Sequence, residues 1–202
     1  MAEARKLKLK LRAERQAQTR QRIVEAAVGL HGTLGPARTT ISAIAEHAGV
    51  ERVTVYRHFP DNRSLLEACS AHVRAQVPPP NPRPWKKLSD PRTRTETALT
   101  ELYPYFRLTS RGWAAILRDA EILPIVREIA EKRRLGYLAE VRDILAVGWG
   151  VRGERRELLR AALGLAVDFR TWETLAEKQG LSDAQAVQLV TDMVVRAPIE
   201  RL

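Results

Sequence analysis

One cysteine, Cys69, is all the thiol the 202-residue chain contains, so no intramolecular disulfide can form and a reducing cytoplasm is the expected setting. Aromatic residues make up only 5%. No apolar run approaches the roughly 18 residues a membrane span needs, and the basic N-terminus lacks the apolar core of a secretory signal. Also missing are a Gly-rich phosphate loop, a nucleophile elbow and a compact His/Cys/acid cluster, so neither an enzyme nor a cofactor-dependent protein is expected. Cys69 and His72 stand at i, i+3 and would share a helix face. Zinc generally takes at least three protein ligands, so no metal site is expected and Cys69 reads as a small core residue. Leu7, Leu9 and Leu11 alternate with Lys8 and Lys10 in a strand-like pattern too short to stand alone, and no strand pattern follows, which leaves an all-α chain.

What is abundant is positive charge. The formal net charge is +10, and the first 75 residues hold 13 Lys/Arg against 7 Asp/Glu. The excess is densest from Arg5 to Arg22, through Lys6, Lys8, Lys10, Arg12, Arg15 and Arg20. Residues 1–15 thus form a basic arm that either follows nucleic-acid phosphates and the minor groove or stands as a solvated leader. Five prolines between Pro78 and Pro84 cannot continue a helix and mark a linker over 77–84. This divides the chain into a first domain at 16–76 and a second at 85–202. Apolar spacing predicts about nine helices, near 16–31, 40–48, 51–58, 61–76, 91–108, 111–120, 123–147, 154–179 and 182–197.

The most informative stretch is residues 40–60. Ile41, Ile44, Ala45 and Ala48 fall at i, i+3, i+4 and i+7 on one helical stripe. Gly49 follows where a helix end needs the left-handed conformation. A second short helix, rich in Val53, Val55, Tyr56 and Phe59, begins after a tight turn. Two short helices joined this way are the signature of a helix-turn-helix, whose second helix enters the DNA major groove.

The run Thr40-Ile41-Ser42-Ala43-Ile44-Ala45-Glu46-His47-Ala48-Gly49-Val50, followed by Thr54-Val55-Tyr56-Arg57-His58-Phe59-Pro60, resembles the DNA-binding domain of TetR-family transcriptional regulators. Ile23-Val24-Glu25-Ala26-Ala27, Gly35 and Ser64-Leu65-Leu66 fall at the family's spacing, so the resemblance covers roughly residues 20–68. A weaker likeness to the family's last helices runs through Phe169-Arg170-Thr171-Trp172-Glu173-Thr174-Leu175 and Gly180-Leu181-Ser182. The resemblance implies base-edge contacts from Arg52 and Val53 and phosphate contacts from Thr54, Tyr56 and His58. Thr40, Ser42 and Arg57 complete the face expected on double-stranded DNA. The chain departs from the family pattern at Glu51, where Ser is common, and at Asn62, where Lys is common. The phosphate anchor is then expected to have weakened or moved to Arg63. His31 and Pro36 also stand where aromatic residues are usual.

For the second domain the resemblance implies a ligand cavity and a four-helix dimer bundle. Tyr103, Phe106, Trp113, Asp168, Phe169 and Trp172 are the candidate ligand residues. Asp168 lies in an apolar run and is either paired internally, as with an arginine, or placed to meet a cationic ligand. Leu158, Ala162, Leu165, Leu189, Val190 and Met193 are the candidate dimer residues. The expected protein is a homodimeric repressor that holds a palindromic operator and is released by a hydrophobic or cationic small molecule. The alternative is an architectural or partner-controlled DNA binder with no small-molecule effector.

Overall fold

The computed structural model describes residues 1–197, so the final five positions of the expected second domain lie outside the described residues. Among these residues the chain is helical, with no strand. The helices are α1 (Ala2–Thr33), α2 (Ile41–Ala48), α3 (Arg52–His58), α4 (Asn62–Gln76), α5 (Pro91–Ala120), α6 (Pro124–Leu145), α7 (Glu154–Ala166), α8 (Phe169–Trp172) and α9 (Asp183–Arg196). α8 runs on into a π-helical stretch, Glu173–Lys178. Two compact units result. The first joins residues 1–78 to 114–129, and the second joins 79–113 to the chain from Ala130 onward. The chain passes between units at Pro78 and Pro79, inside the proline-rich segment, and again within α5 and α6.

In the first unit, α1, α2, α3 and α4 bury Ile23, Ala27, Ile44, Val55, Phe59 and Leu65 in one core. Cys69 belongs to the same core, where burial pushes its thiol up to about 12. A polar clamp ties the end of α5 to the chain leaving α1. Asp119, itself buried, accepts from the Ala37 amide at 2.8 Å and from Arg118 Nε at 2.8 Å, and Arg118 also donates to the Leu34 carbonyl at 3.0 Å. Gly35 has φ +90° and ψ 157°, and a Cβ there would overlap the Arg118 and Asp119 side chains. Glycine is required on both counts. Burial lowers the nearby His31 to about 4, against the opposing pull of Asp119.

The second unit buries larger side chains, among them Trp85, Leu102, Tyr103, Leu163, Phe169 and Trp172. Its buried cation, Arg94, meets only carbonyls among the described residues, donating to Leu88, Ser89, Ile144 and Val147. Those of Ile144 and Val147 lie at the C-terminal end of α6, where carbonyls lack helical partners and the helix dipole favours a cation. The proline-rich stretch is held as well: Tyr137 donates to the Pro80 carbonyl at 2.9 Å, and Pro84 opens a 3-10 turn that buries Trp85.

Three elements differ from the sequence expectation. α1 begins at Ala2 rather than near residue 16, so the basic arm is helical, with Lys6 to Arg15 exposed throughout. Its Leu, Lys, Arg, Glu and Gln residues are strong helix formers, and the Leu/Lys alternation has no partner strand to support it. The expected helices 91–108 and 111–120 form one, running through Pro104. The expected 154–179 helix instead breaks at Val167 and Asp168, because the Asp168 carboxylate caps α8 by accepting from the Arg170 amide at 2.7 Å.

Gly35→Ala is expected to cost about 2 kcal/mol or more in chemical denaturation, because the backbone region is essentially glycine-only and the clamp must open as well. His31 binds its proton more weakly folded than unfolded, so it opposes folding increasingly as pH falls from 6.5 towards its folded value of about 4. The His31→Gln variant is expected to lose less stability than the parent over that window, read from denaturation midpoints at stepped pH.

Candidate nucleic-acid interface

Local chemistry sets the geometry of α2 and α3. Thr40 caps α2, its hydroxyl accepting from the Ala43 amide at 3.1 Å. Gly49 closes the helix at φ 62°, and the Val50 and Gly49 amides donate to Ala45 at 2.9 Å and Glu46 at 3.1 Å. Glu51 then opens α3 with no side-chain cap bond. Its carboxylate still complements the positive end of the helix.

Burial sorts the two sides of α3. Val55 and Phe59 enter the core, whereas Arg52, Val53, Tyr56 and Arg57 face solvent. The last four stand at i, i+1, i+4 and i+5 and share one side of the helix. Val53 is 64% exposed, an apolar side chain with no intramolecular reason to be there. Thr54 and His58 are half-buried at the margins, and Thr40 and Ser42 are exposed at the start of α2. The surface thus combines two guanidinium groups, a phenol, hydroxyls and one apolar tip. Guanidinium forks match guanine edges, an aliphatic side chain packs on a thymine methyl, and hydroxyls bond phosphate oxygens.

His58 is held below its usual pKa, first by burial and then by Arg57 and Arg20. Arg20, expected only as part of the basic excess, belongs to this end as well. Its guanidinium lies 4.7 Å from the centre of the Phe59 ring, adding positive charge beside the end of α3. No local spacing links residues 20 and 59, so only packing reveals the pair.

Arg63, expected as a phosphate anchor, lies at the start of α4. It donates to both carboxylate oxygens of Glu128, at 2.9 and 2.6 Å. Both side chains are exposed, so this is a surface pair of small net strength. Asp61, next to it, caps α4 by accepting from the Ser64 amide at 2.7 Å, which holds its carboxyl below the usual range.

In the second unit the expected ligand residues are brought together, ring against ring. Phe106 meets Phe169 edge-on at 5.6 Å, Phe169 lies 5.5 Å from Trp172, and Trp113 stacks on Phe169 at 6.1 Å. Tyr103 donates to the Ala166 carbonyl at 3.1 Å. Trp172 donates to Asp183 at 2.9 Å, and Arg107 grips the same carboxylate at 2.8 and 3.0 Å. Asp168 stands half-buried at a helix start, not on a continuous helical stripe. Of the expected dimer residues, Leu165 and Met193 are 59% and 52% exposed, Leu189 is also exposed, and Leu158 and Ala162 are half-buried. Val190 is the exception: it is buried inside its own unit, because α9 turns that side towards the core.

Residues 23–69 match the family model described as bacterial regulatory proteins, tetR family. The chain carries a TetR-family domain. An uncharacterized HTH-type transcriptional regulator of Mycobacterium bovis is 42% identical over 60 residues, 29% of this chain and 32% of that protein. The match thus spans about a third of the length of this curated relative. Solved structures extend the likeness in fold alone. A TetR-like transcriptional regulator from Rhodococcus sp. RHA1 superposes with a TM-score of 0.64 at 19% identity, covering 88% of this chain and 94% of that one. A chain from Saccharomonospora viridis solved in complex with choline gives a TM-score of 0.57 at 22% identity, covering 88% and 96%. The matched segment runs from the middle of α1 into α4, so the TetR-family domain includes Thr40, the Gly49 turn and the whole outward face of α3.

Proposed function

We propose that the chain is a DNA-binding transcriptional regulator, not an enzyme, that holds a two-fold symmetric operator as a homodimer and acts as a repressor released by a small molecule. The observation that carries this reading is the outward row of Arg52, Val53, Tyr56 and Arg57 on α3, inside the matched domain. Such a face reads base edges with Arg52 and Val53 and is oriented by phosphate contacts from Tyr56, Thr54, His58, Arg57, Thr40 and Ser42. The exposed basic helical turns before residue 16 add charge for phosphates. No described helix is long and apolar enough to cross a membrane, in keeping with action on cytoplasmic DNA.

Pairing is supported by Leu158, Ala162 and Leu165 on α7 and by Leu189 and Met193 on α9. These lie at helical spacing and leave apolar side chains in solvent. Two copies joined through such helices would match the symmetry of a palindromic site.

For the effector, the candidate lining is the cluster of Tyr103, Phe106, Trp113, Phe169 and Trp172, with Asp168 at its margin. A hydrophobic ligand entering there must part rings that pack against one another, and a cationic one must share a carboxylate already capping α8. That closed packing favours a second reading, in which a protein partner rather than a small molecule controls DNA binding.

Selection of bound DNA from a random library is expected to enrich a two-fold symmetric sequence, and enrichment of none would count against the regulator reading. On the selected site, Arg52→Ala is expected to relax base preference at one position in each half, by about 1–3 kcal/mol. Tyr56→Phe should weaken all sequences about equally. Leu165→Glu and Met193→Glu are each expected to shift the chain towards monomer in sedimentation velocity and to weaken operator binding. A parent chain that sediments as monomer at micromolar concentration would remove the dimer. Repeating the selection against a panel of lipophilic and cationic compounds separates the two modes of control, since only the small-molecule reading expects release.

A further inference from the structure

Away from α3 and the aromatic cluster, the second unit contains a crevice of about 450 Å³ where α6 ends, the 146–153 loop turns and α7 begins. Its walls include Asp143, Val147, Trp149, Val151, Arg156 and Arg160. The volume falls within the range of about 300–1,000 Å³ common for small-molecule sites. The loop is held in place from below. Arg94 donates to the Val147 carbonyl at 2.7 Å, and the Trp149 indole donates to the Leu145 carbonyl at 2.8 Å. The indole is therefore half-buried and fixed in orientation.

Charge around the crevice is unbalanced. Arg160 donates to Asp143 Oδ1 at 3.1 Å, and Arg142 Nε lies 3.6 Å from the same oxygen, so one carboxylate faces two guanidinium groups. Arg156, one helical turn before Arg160, pairs with no acid among the described residues. Glu154 and Glu157 lie on the same helix but do not line the crevice. The first turn of α7 has no side-chain cap, and Glu154 and Glu157 in that turn offset the positive end of the helix, so the cationic character of the crevice rests on its arginines.

We propose that this crevice binds a small organic anion with a flat apolar body. Arg156 and Arg160 take the carboxylate, and the body lies against Trp149, Val147 and Val151. Guanidinium forks bind carboxylates through paired, charge-assisted hydrogen bonds, and Arg160 can exchange part of its contact with Asp143 for the ligand. An indole face and two valines suit an aromatic body and give an inorganic ion nothing to fill the space. The proposal concerns binding at this site and stands apart from the DNA reading.

The test is a titration of the full chain with naphthoate at neutral pH and fixed ionic strength, read by tryptophan fluorescence. A saturable change is expected, absent in Trp149→Phe and shifted to about tenfold weaker binding in Arg156→Ala. Arg156 is exposed, so circular dichroism of that variant is expected to match the parent. The neutral naphthamide should give no saturable change, and inorganic phosphate at equal concentration should not displace naphthoate. The proposal is overturned by the absence of a saturable response, a response that survives Trp149→Phe, an unchanged affinity in Arg156→Ala, or equal binding of the amide. Displacement by equimolar phosphate would overturn the assignment to an organic anion.

Discussion

The left-handed turn at Gly49 sets everything in the helix-turn-helix. A residue at φ 62° ends α2 abruptly and lets two amides close its last carbonyls. The chain then re-enters a helix at the angle where Val55 and Phe59 reach the core built by Ile23, Ala27 and Ile44. With those two side chains inside, Arg52, Val53, Tyr56 and Arg57 have only the opposite side of α3 to occupy. The outward row therefore follows from burial on the inner side, and it stays oriented because the core beneath it is closed.

Each unit holds one buried charge with the help of backbone partners. Asp119 takes an amide from the turn after α1 and an arginine from its own helix, and glycine at position 35 makes room for the approach. Among the described residues Arg94 meets four carbonyls and no carboxylate, closing the end of α6 and firming the loop that follows. Buried charge without such partners would cost several kcal/mol. Asp183 is held differently, partly exposed and shared between two side chains, the Trp172 indole and Arg107, beside the aromatic cluster.

What could be read from the sequence was short in range. Thr40, Gly49 and Ser182 act through bonds to residues at most four or five positions away, so their types and spacing sufficed to place helix ends. α2, α3 and α4 emerge within a residue of expectation for that reason. The break at Asp168 was hidden because the apolar pattern of α7 continues across it, and a capping aspartate looks like a buried acid until its bond to the Arg170 amide is seen. The single long α5 likewise runs through the expected gap at 109–110, where the Thr109 hydroxyl bonds back to the Tyr105 carbonyl one turn earlier.

The chain's sequence by itself determined an all-helical protein with a helix-turn-helix at residues 40–60, and a set of polar side chains on its second helix. Tertiary structure alone decided which charged side chains around that helix are already paired. Arg63 shows the difference, since its spacing fits a phosphate anchor while its guanidinium is matched to Glu128, 65 positions away. It likewise closed the aromatic cluster ring on ring and gathered Trp149, Arg156 and Arg160 around one crevice. Helix periodicity is local and visible in a string of residues. Which charge finds which partner across the fold is a matter of distance in space, and spacing along the chain does not encode it.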